Sequence, residues 1–349
     1  MFSNQMRSVF VVKNMRNTLK TKNQCFINAK YSHETNKDDK ENINDDEQLK
    51  TVRSRLSYIS EDLLEHEKNI NRPKGSTRNK ISKVDIKGEI IYGLHPVQLA
   101  LRCGRRAIHR LYVQDRFRDS DAILRKKIIE LAHDLKIPIK EVQKPILQQI
   151  SKNHVHQGVC LDVSALHTED IDKSNVEDTV TENKTTPIWL ILDRIQDPMN
   201  FGAVLRSSYY FGIDKVCVVK GNSCKLSPVV SKASSGALEV IPVYSINNLP
   251  EFLQEKKDSD WYIVGTASYS DNICSKCIGI HTLKLNKPTI FILGNEGVGM
   301  SKCVYDLCDN VVTIFPAAHL HPGVDSLNVS VVSGIILHQL NLIKMNSCK

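Results

Sequence analysis

Three short segments in the last third of the chain combine glycines with amide, hydroxyl or charged side chains that could align a polar reaction. They are Asn200-Phe201-Gly202-Ala203-Val204-Leu205-Arg206, Gly294-Asn295-Glu296-Gly297-Val298-Gly299 and Ser326-Leu327-Asn328-Val329-Ser330. Each begins where an apolar run ends, and in open α/β sheets ligands bind at the ends of the strands. Charged and amide groups within apolar runs are costly to bury unless they are paired. The three segments therefore predict one site that is assembled from distant parts of the chain.

Arg206 is the only charged residue of the first segment, and two interpretations of it stay open. It is either a surface charge at helical spacing or a guanidinium fork that binds a phosphate. Taken alone, the surface charge is the simpler interpretation, since arginines are mostly exposed. Because Arg206 follows Asn200 by six residues on a helix that begins after a strand, we expect both side chains to face the carboxyl edge of the sheet.

The second and third segments also have structural alternatives. Glycines such as Gly294 let the backbone approach a ligand closely and offer N–H donors. The spacing G-x-x-G-x-G differs from the dinucleotide fingerprint, and no Gly-Lys-Ser/Thr follows for a phosphate loop. Glu296 could be a carboxylate at a helix terminus, and Ser326 or Asn328 could be the N-cap of the last helix. Only their occurrence together, at the strand ends of one sheet, favours a site.

The elements that must position these segments alternate between strand and helix. Strands are predicted at 188–192, 215–219, 239–243, 261–266, 289–294 and 310–314, and helices at 203–211, 249–256, 301–307 and 328–342. Near-continuous apolar strands between helices predict a largely parallel sheet covered on both faces. A smaller α/β unit is predicted before it, with strands at 90–93, 108–113, 137–139 and 159–163 and helices at 95–103, 120–136 and 145–150.

Composition restricts the partners. The 349 residues carry a formal charge of +8, and residues 87–163 hold 14 Lys/Arg against 8 Asp/Glu, a surplus of +6. Such a basic unit fits a polyanion such as RNA, although a solvated surface explains the charge equally well. There is no apolar run of about 18 residues, so no membrane span is expected. A lone Cys274-Ser275-Lys276-Cys277 without a second pair predicts no metal site.

The amino-terminal part of the chain has the composition of a targeting segment. Residues 1–33 contain six Lys/Arg and no acidic residue, which is typical of a mitochondrial transit peptide. A disordered basic tail is the alternative. Residues 34–86 are predicted to be a disordered charged linker, and residues 166–186 a second linker between the two folded units.

The ordered set of motifs resembles the three signature motifs of the SpoU/TrmH branch of SPOUT RNA 2′-O-ribose methyltransferases, over residues 188–342. The smaller unit resembles the family's RNA-binding domain of ribosomal-protein type. That likeness is carried by Tyr92-Gly93-Leu94-His95-Pro96-Val97 and His156-Gln157-Gly158-Val159. The resemblance implies an RNA-binding domain at 88–165 and a methyltransferase domain at 187–345 with a deep trefoil knot. It also implies a homodimer and S-adenosylmethionine (SAM) as the cofactor.

The resemblance further implies transfer of a methyl group from SAM to a ribose 2′-hydroxyl, with a guanosine of mitochondrial large-subunit rRNA in the matrix as the expected substrate. The expected catalytic residues are Arg206, Asn200, Glu296, Ser326 and Asn328. The expected cofactor-binding residues are Gly294, Ile314, Leu327, Asn295, Gly297 and Thr266. The expected RNA contacts are Arg105, Arg106, His156 and Gln157.

Three questions stay open at this level. Arg206 resembles the family's proposed base, yet a guanidinium keeps its proton in nearly all proteins, so a substrate phosphate held by Arg206 is an alternative proton acceptor. The RNA could be a tRNA. The chain could also be an RNA-binding ribosome-assembly factor with secondary catalysis. Residues 316–325 look a few residues longer than is usual in the family, which would reshape the rim of the site.

Overall fold

The computed structural model describes residues 84–115, 122–171, 186–268, 276–295, 297, 299–317, 321 and 326–347. Residues 80–349 group as one compact unit. Several predictions lie outside the described residues: the leader 1–33, most of the linker 34–86, residues 172–185, Glu296, Cys274, and 318–320 and 322–325 in the longer segment.

A four-stranded sheet with three helices forms what we call the small layer. Its elements are β1 (Glu89–Tyr92), α1 (Leu94–Cys103), β2 (Ile108–Gln114), α2 (Ala122–Asp134), β3 (Ile139–Val142), α3 (Lys144–Ile150) and β4 (Val159–Val163). The strand order is β1-β4-β2-β3, with β4 antiparallel to both neighbours and β3 parallel to β2. The strand predicted at 159–163 is confirmed at both ends, and all five of its residues are buried.

An eight-stranded sheet with six helices forms the large layer. Its strands are β5 (Glu169–Asp170), β6 (Ile188–Leu192), β7 (Lys215–Val219), β8 (Val243–Ile246), β9 (Tyr262–Thr266), β10 (Cys277–Gly279), β11 (Thr289–Leu293) and β12 (Asn310–Thr313). Its helices are α4 (Pro198–Tyr210), α5 (Pro228–Ala233), α6 (Ala237–Val240), α7 (Leu249–Asp258), α8 (Lys302–Leu307) and α9 (Val329–Ser347), and a 3₁₀ turn covers Ile280–Thr282. The strand order is β10-β12-β9-β11-β6-β7-β8-β5.

The predicted parallel sheet covered on both faces is confirmed. All neighbouring strands of the large layer run parallel. Along β6, Leu190 and Leu192 pack with α4 and α9 on one face, and Trp189 and Ile191 pack with α7 on the other. Because a strand alternates its side chains, a buried strand needs apolar residues at every position, which is what the sequence of β6 supplies.

One predicted strand is wrong. Residues 239 and 240 end α6, residues 241 and 242 form the loop before β8, and only Val243 lies in a strand. The helical turn begins after Gly236, whose φ is 89°. The run is apolar except for Glu239 and was therefore predicted to be a strand. Glu239 is in fact buried and paired with Arg106, 133 residues earlier, which the local sequence does not indicate. Helix α5 and the short strands β5 and β10 were not predicted, and β5 lies within the expected linker 166–186, where it pairs with β8.

Within the described residues, no helix is both long and apolar enough to cross a membrane.

Candidate active site

Four neighbouring strands of the large layer end at one edge of the sheet. In the order β12-β9-β11-β6 they run parallel, with Val312 opposite Thr266 and Ile292 opposite Gly265. Thr266 is the last residue of β9, Gly294 follows β11 and Ile314 follows β12. The structure thus brings three of the expected cofactor-binding residues to one place, which we call the carboxyl edge.

The second segment folds back on itself at this edge. Asn295 holds the loop at three points: its carbonyl accepts from the Gly299 N–H at 2.9 Å, its Oδ1 accepts from the Gly297 N–H at 2.9 Å, and its Nδ2 donates to the Arg194 carbonyl at 2.9 Å. Both ends of the amide side chain are therefore engaged within the protein. Asn295, expected to bind the cofactor, acts here through the loop shape that it imposes.

Arg194 is a second support of this loop that the sequence did not point to. Its guanidinium lies 3.2 Å from the buried carboxylate of Asp193 and donates to the Gly299 carbonyl at 2.8 Å. Its φ of 60° lies in the left-handed region, which non-glycine residues seldom adopt. The only sequence signal was an Asp-Arg pair directly after an apolar strand.

The first and third segments meet through two amides. Helix α4 begins with Asp197 as its N-cap, which accepts from the Met199 and Asn200 N–H groups, and Pro198 is at its first position. The Asn328 carbonyl oxygen Oδ1 accepts from the Ser330 N–H at 2.8 Å and so caps α9. The Asn328 Nδ2 donates to Asn200 Oδ1 at 3.1 Å. Asn328 thus caps a helix and also joins the two segments.

Arg206 lies six residues further along α4, and the expectation that it shares the carboxyl edge with Asn200 stays a prediction. Helix α4 carries the chain from the carboxyl edge of β6 back to the start of the parallel strand β7. Six residues along a helix amount to about 9 Å of rise and a rotation of about 120°. The exposed Arg206 instead donates from Nη1 to the Ser235 Oγ at 3.0 Å, in the turn between α5 and α6.

The expected RNA contact Arg106 is buried between the layers. Its side chain is 0% exposed and forms a fork with Glu239, with nitrogen–oxygen distances of 2.7 and 3.0 Å, while Nη1 lies 2.6 Å from Glu89. Burial disfavours the charged guanidinium, but Glu239 and then Glu89 outweigh it, and the pKa of Arg106 is raised. The donors of Arg106 are enclosed and used within the protein, and its contact with RNA stays a prediction.

The other expected RNA contacts also hold structure together. Arg105 donates to the Leu238 and Ile241 carbonyls at 3.0 and 2.7 Å. Gln157 Oε1 accepts from the Lys232 ammonium at 2.6 Å. We call this contact between layers the seam; it comprises Arg105, Arg106 and Gln157 of the small layer and Lys232, Leu238, Glu239 and Ile241 of the large layer.

His156 is buried rather than on a surface. It is 7% exposed, and its Nδ1 accepts from the Gly158 N–H at 3.0 Å. Burial lowers its pKa, and the positive charge of Lys144 lowers it further. The buried imidazole shapes a turn here, and its contact with RNA stays a prediction. Burial also lowers the pKa of Lys232.

Of the other expected residues, Ser326, Leu327 and Gly297 are exposed, and Ile314 is partly buried. Among the described residues there is no group of three or more His, Cys, Asp or Glu side chains that could hold a metal.

Two family models match the chain. The model of the SpoU rRNA methylase family matches residues 187–338, and the model of the RNA 2′-O ribose methyltransferase substrate-binding domain matches residues 90–169.

Individual proteins match over most of the chain. Mitochondrial rRNA methyltransferase 1 of Homo sapiens is 37% identical over 77% of this chain and 78% of its own length. The 23S rRNA (guanosine-2′-O-)-methyltransferase RlmB of Pseudomonas aeruginosa is 31% identical over 72% of this chain and 95% of its own. The SpoU methyltransferase AviRb of Streptomyces viridochromogenes, solved with AdoMet, has a similar fold. Its TM-score is 0.57 at 20% identity, over 74% of this chain and 90% of that structure.

Proposed function

The chain belongs to the SpoU rRNA methylase family and is a SAM-dependent RNA 2′-O-methyltransferase, and we propose that it methylates a guanosine ribose of mitochondrial large-subunit rRNA. The observation that carries the proposal is the pair of named relatives that match over more than 70% of this chain: one is mitochondrial and the other acts on a guanosine of large-subunit rRNA.

The carboxyl edge fits a cofactor that has both polar and apolar parts. A Cβ added at Gly294 would lie 2.9 Å from the Gly299 carbonyl carbon and the Met300 nitrogen, so the loop leaves room only for backbone there. Ile314 is partly exposed and Leu327 is 50% exposed, which provides apolar contact beside these backbone groups. We propose that Gly294, Ile314 and Leu327 hold SAM, with Thr266 and Gly297 beside them. When bound there, SAM supplies an electrophilic methyl group on a sulfonium.

The reaction requires the 2′-oxygen to form a bond to carbon while its proton leaves. We propose that Asn200, Ser326 and Asn328 orient the ribose and that Arg206 binds an adjacent substrate phosphate through its fork. An oxygen of that phosphate then accepts the proton, and the guanidinium stabilises the alkoxide character that develops on the 2′-oxygen. Arg206 serves as a hydrogen-bond donor to Ser235, which supports the role of clamp over that of base. Glu296 is proposed to orient Arg206 or the neighbouring subunit.

A second copy of the chain is the proposed occupant of the outer face of α9. Apolar side chains stay exposed along this helix at spacings of four, seven and three residues: Val331, Ile335, Leu342 and Met345. A stripe of this kind marks a contact surface. Charge introduced by Ile335→Glu should convert a dimer into a monomer in light scattering, whereas the same substitution at the exposed Ile123 of α2, Ile123→Glu, serves as a control. A wild-type chain that is monomeric at micromolar concentration would refute the dimer.

The other proposals concern the parts that flank the site. We place the RNA-binding domain at 88–165 and the methyltransferase domain at 187–345, and we expect the trefoil knot of the family in the latter. Residues 1–33 are the proposed transit peptide to the mitochondrial matrix. Exchange of their six basic residues for Gln should leave the protein outside mitochondria in fractionated cells.

The experiment that tests the function is a map of ribose methylation on mitochondrial RNA from cells with and without the protein. Loss of methylation at one guanosine of the large-subunit rRNA is expected. Loss of methylation confined to a tRNA would favour a tRNA as the substrate. Unchanged methylation at every rRNA position would overturn the proposal. Replacement of the chromosomal copy by Arg206→Ala separates catalysis from an assembly role, because an assembly factor would still support ribosome formation.

A further inference from the structure

The segment from α5 to α6 lies between the helix that carries Arg206 and the small layer. On one side it touches α4, where a Cβ added at Gly202 would lie 2.5 Å from the Ala233 Cβ and 2.9 Å from the Ser234 nitrogen. On the other side it touches α1, where a Cβ at Gly236 would lie 3.1 Å from the Pro96 Cα. Since backbone meets backbone on both sides, the segment cannot shift without moving a neighbour.

The turn inside this segment, residues 234–236, is fixed by its own hydrogen bonds. The Gly236 N–H donates to the Ser231 carbonyl at 2.8 Å, and Ser234 Oγ accepts from the Leu238 N–H at 3.2 Å. The Ser231 hydroxyl donates to the Glu239 carboxylate at 2.6 Å and so ties α5 to α6. One conformation of the turn is thereby selected.

Glu239 links this turn to the small layer. Its side chain is 1% exposed and shares its two oxygens between Ser231 and the fork of Arg106. A buried carboxylate is stable only while its partners stay in place, because an unpaired buried charge is costly. The position of the turn therefore depends on contact with the small layer through Arg106.

Ser235 is the residue of the turn that meets the proposed catalytic site. Its φ is 52°, a conformation that serine seldom adopts and that glycine adopts freely. Glycine in its place would lose the hydroxyl that accepts the Arg206 hydrogen bond. Ser235 is held in a strained conformation while its hydroxyl accepts a hydrogen bond from a functional side chain, and this combination indicates a positioning role.

We propose that Ser235 is a positioning residue for Arg206 and that the seam, acting through Glu239 and Ser231, keeps Ser235 in place; the inference rests on the proposed methyl transfer. An exposed arginine samples many rotamers, and one hydrogen bond to a fixed acceptor restricts them before the substrate arrives. The docked small layer thus contributes to catalysis at a point that its own residues do not touch. Arg106 and Glu239 therefore affect catalysis indirectly, through Ser231 and Ser235.

The test compares kcat, KM for SAM and melting temperature of full-length variants on large-subunit rRNA from cells that lack the protein. Ser235→Gly removes the hydroxyl and suits the backbone, so kcat should fall about tenfold while the other two quantities stay unchanged. Ser235→Asn tolerates this backbone and offers an amide oxygen, so it should recover most of the rate. Lys136→Gly, at another residue of positive φ (55°) in the small layer, is the matched control and should not lower kcat.

The outcomes separate this inference from the proposed function. A wild-type protein that does not methylate the RNA refutes the proposed function. A wild-type protein that does, together with an unchanged kcat in Ser235→Gly, refutes the positioning role. For the seam, Arg106→Lys keeps the charge but loses the fork, and kcat per folded molecule should fall several-fold. A full kcat in that variant would confine the positioning role to Ser235 and overturn the link to the small layer.

Discussion

The carboxyl edge and the seam both gather polar groups beside apolar layers, and they are built in opposite ways. At the carboxyl edge, the neutral amides of Asn200 and Asn328 are hydrogen-bonded to each other and remain at least partly exposed. At the seam, Arg106 and Glu239 are charged, enclosed and paired through two hydrogen bonds. A region that must bind a ligand keeps its polar groups accessible to solvent. A region that must hold two layers together pairs its polar groups with one another.

The difference also determines what the loss of one side chain should cost. Removal of an exposed neutral partner leaves the other group in contact with water. Removal of one partner of a buried ion pair leaves a charge without water or counter-charge, which is among the few large effects known for point substitutions. Loss of a seam side chain should therefore act mainly on stability, with a smaller effect on kcat through Ser235, and loss of a side chain at the edge or of Arg206 should act mainly on activity.

The largest expected effect is on folding. Arg106→Ala should lower the free energy of unfolding by about 3–5 kcal/mol, because it leaves Glu239 buried without its partner. Chemical denaturation of the full chain measures this. The exposed Arg102, four residues earlier at the end of α1, is the matched control, and Arg102→Ala should stay within about 0.5 kcal/mol of wild type. Equal losses in the two variants would contradict the distinction between the regions.

Arg206→Ala should show the reverse pattern. The side chain is exposed, so unfolding should change little, whereas methylation should fall about 10²- to 10³-fold, the usual cost of a lost charge-stabilising donor. Arg206→Lys should also be impaired, since it keeps the charge but not the fork. Transfer of labelled methyl groups to RNA measures the rate, and calorimetry with SAM measures binding, which should persist. Methylation near the wild-type rate would remove Arg206 from the reaction.

Gly294→Ala tests the carboxyl edge itself. The new Cβ would meet backbone atoms of Gly299 and Met300 at 2.9 Å, which cannot move aside as a flexible side chain can. Overpacking of this kind costs about 1–3 kcal/mol, which here should weaken SAM binding roughly tenfold to a hundredfold. Gly334→Ala within α9, where a Cβ has no neighbour within 4 Å, is the control and should leave binding unchanged. Equal SAM affinity in both variants would show that the loop is not the binding site.

The sequence predicted the carboxyl edge much better than the seam, for a physical reason. Strands such as β6 and β7 were predicted with correct ends, and the residues at strand ends follow directly from them, since parallel strands end together. The Arg106–Glu239 pair joins residues 133 positions apart, and no local pattern indicates such a partner. For the same reason Arg106 was expected to contact RNA and Glu239 to lie in a strand. The partner of Arg206 could not be inferred either, because Ser235 adopts a conformation that serine rarely shows.

The smallest expected effect concerns acid stability near the seam. Burial lowers the folded-state pKa of His156 below the usual value of about 6.5, and Lys144 lowers it further. As pH falls below about 6.5, the unfolded chain binds a proton that the folded chain does not, so the free energy of unfolding should decrease until the pH passes the folded pKa. His156→Asn removes this titrating group, while its amide oxygen can still accept from the Gly158 N–H. The free energy of unfolding of this variant should therefore decline less between pH 7.5 and pH 5.5 than that of wild type. His133→Asn at the exposed end of α2 is the control and should decline with wild type. Parallel decline of His156→Asn and wild type would mean that His156 charges freely in the folded protein, and its imidazole would then be open to water where the structure encloses it.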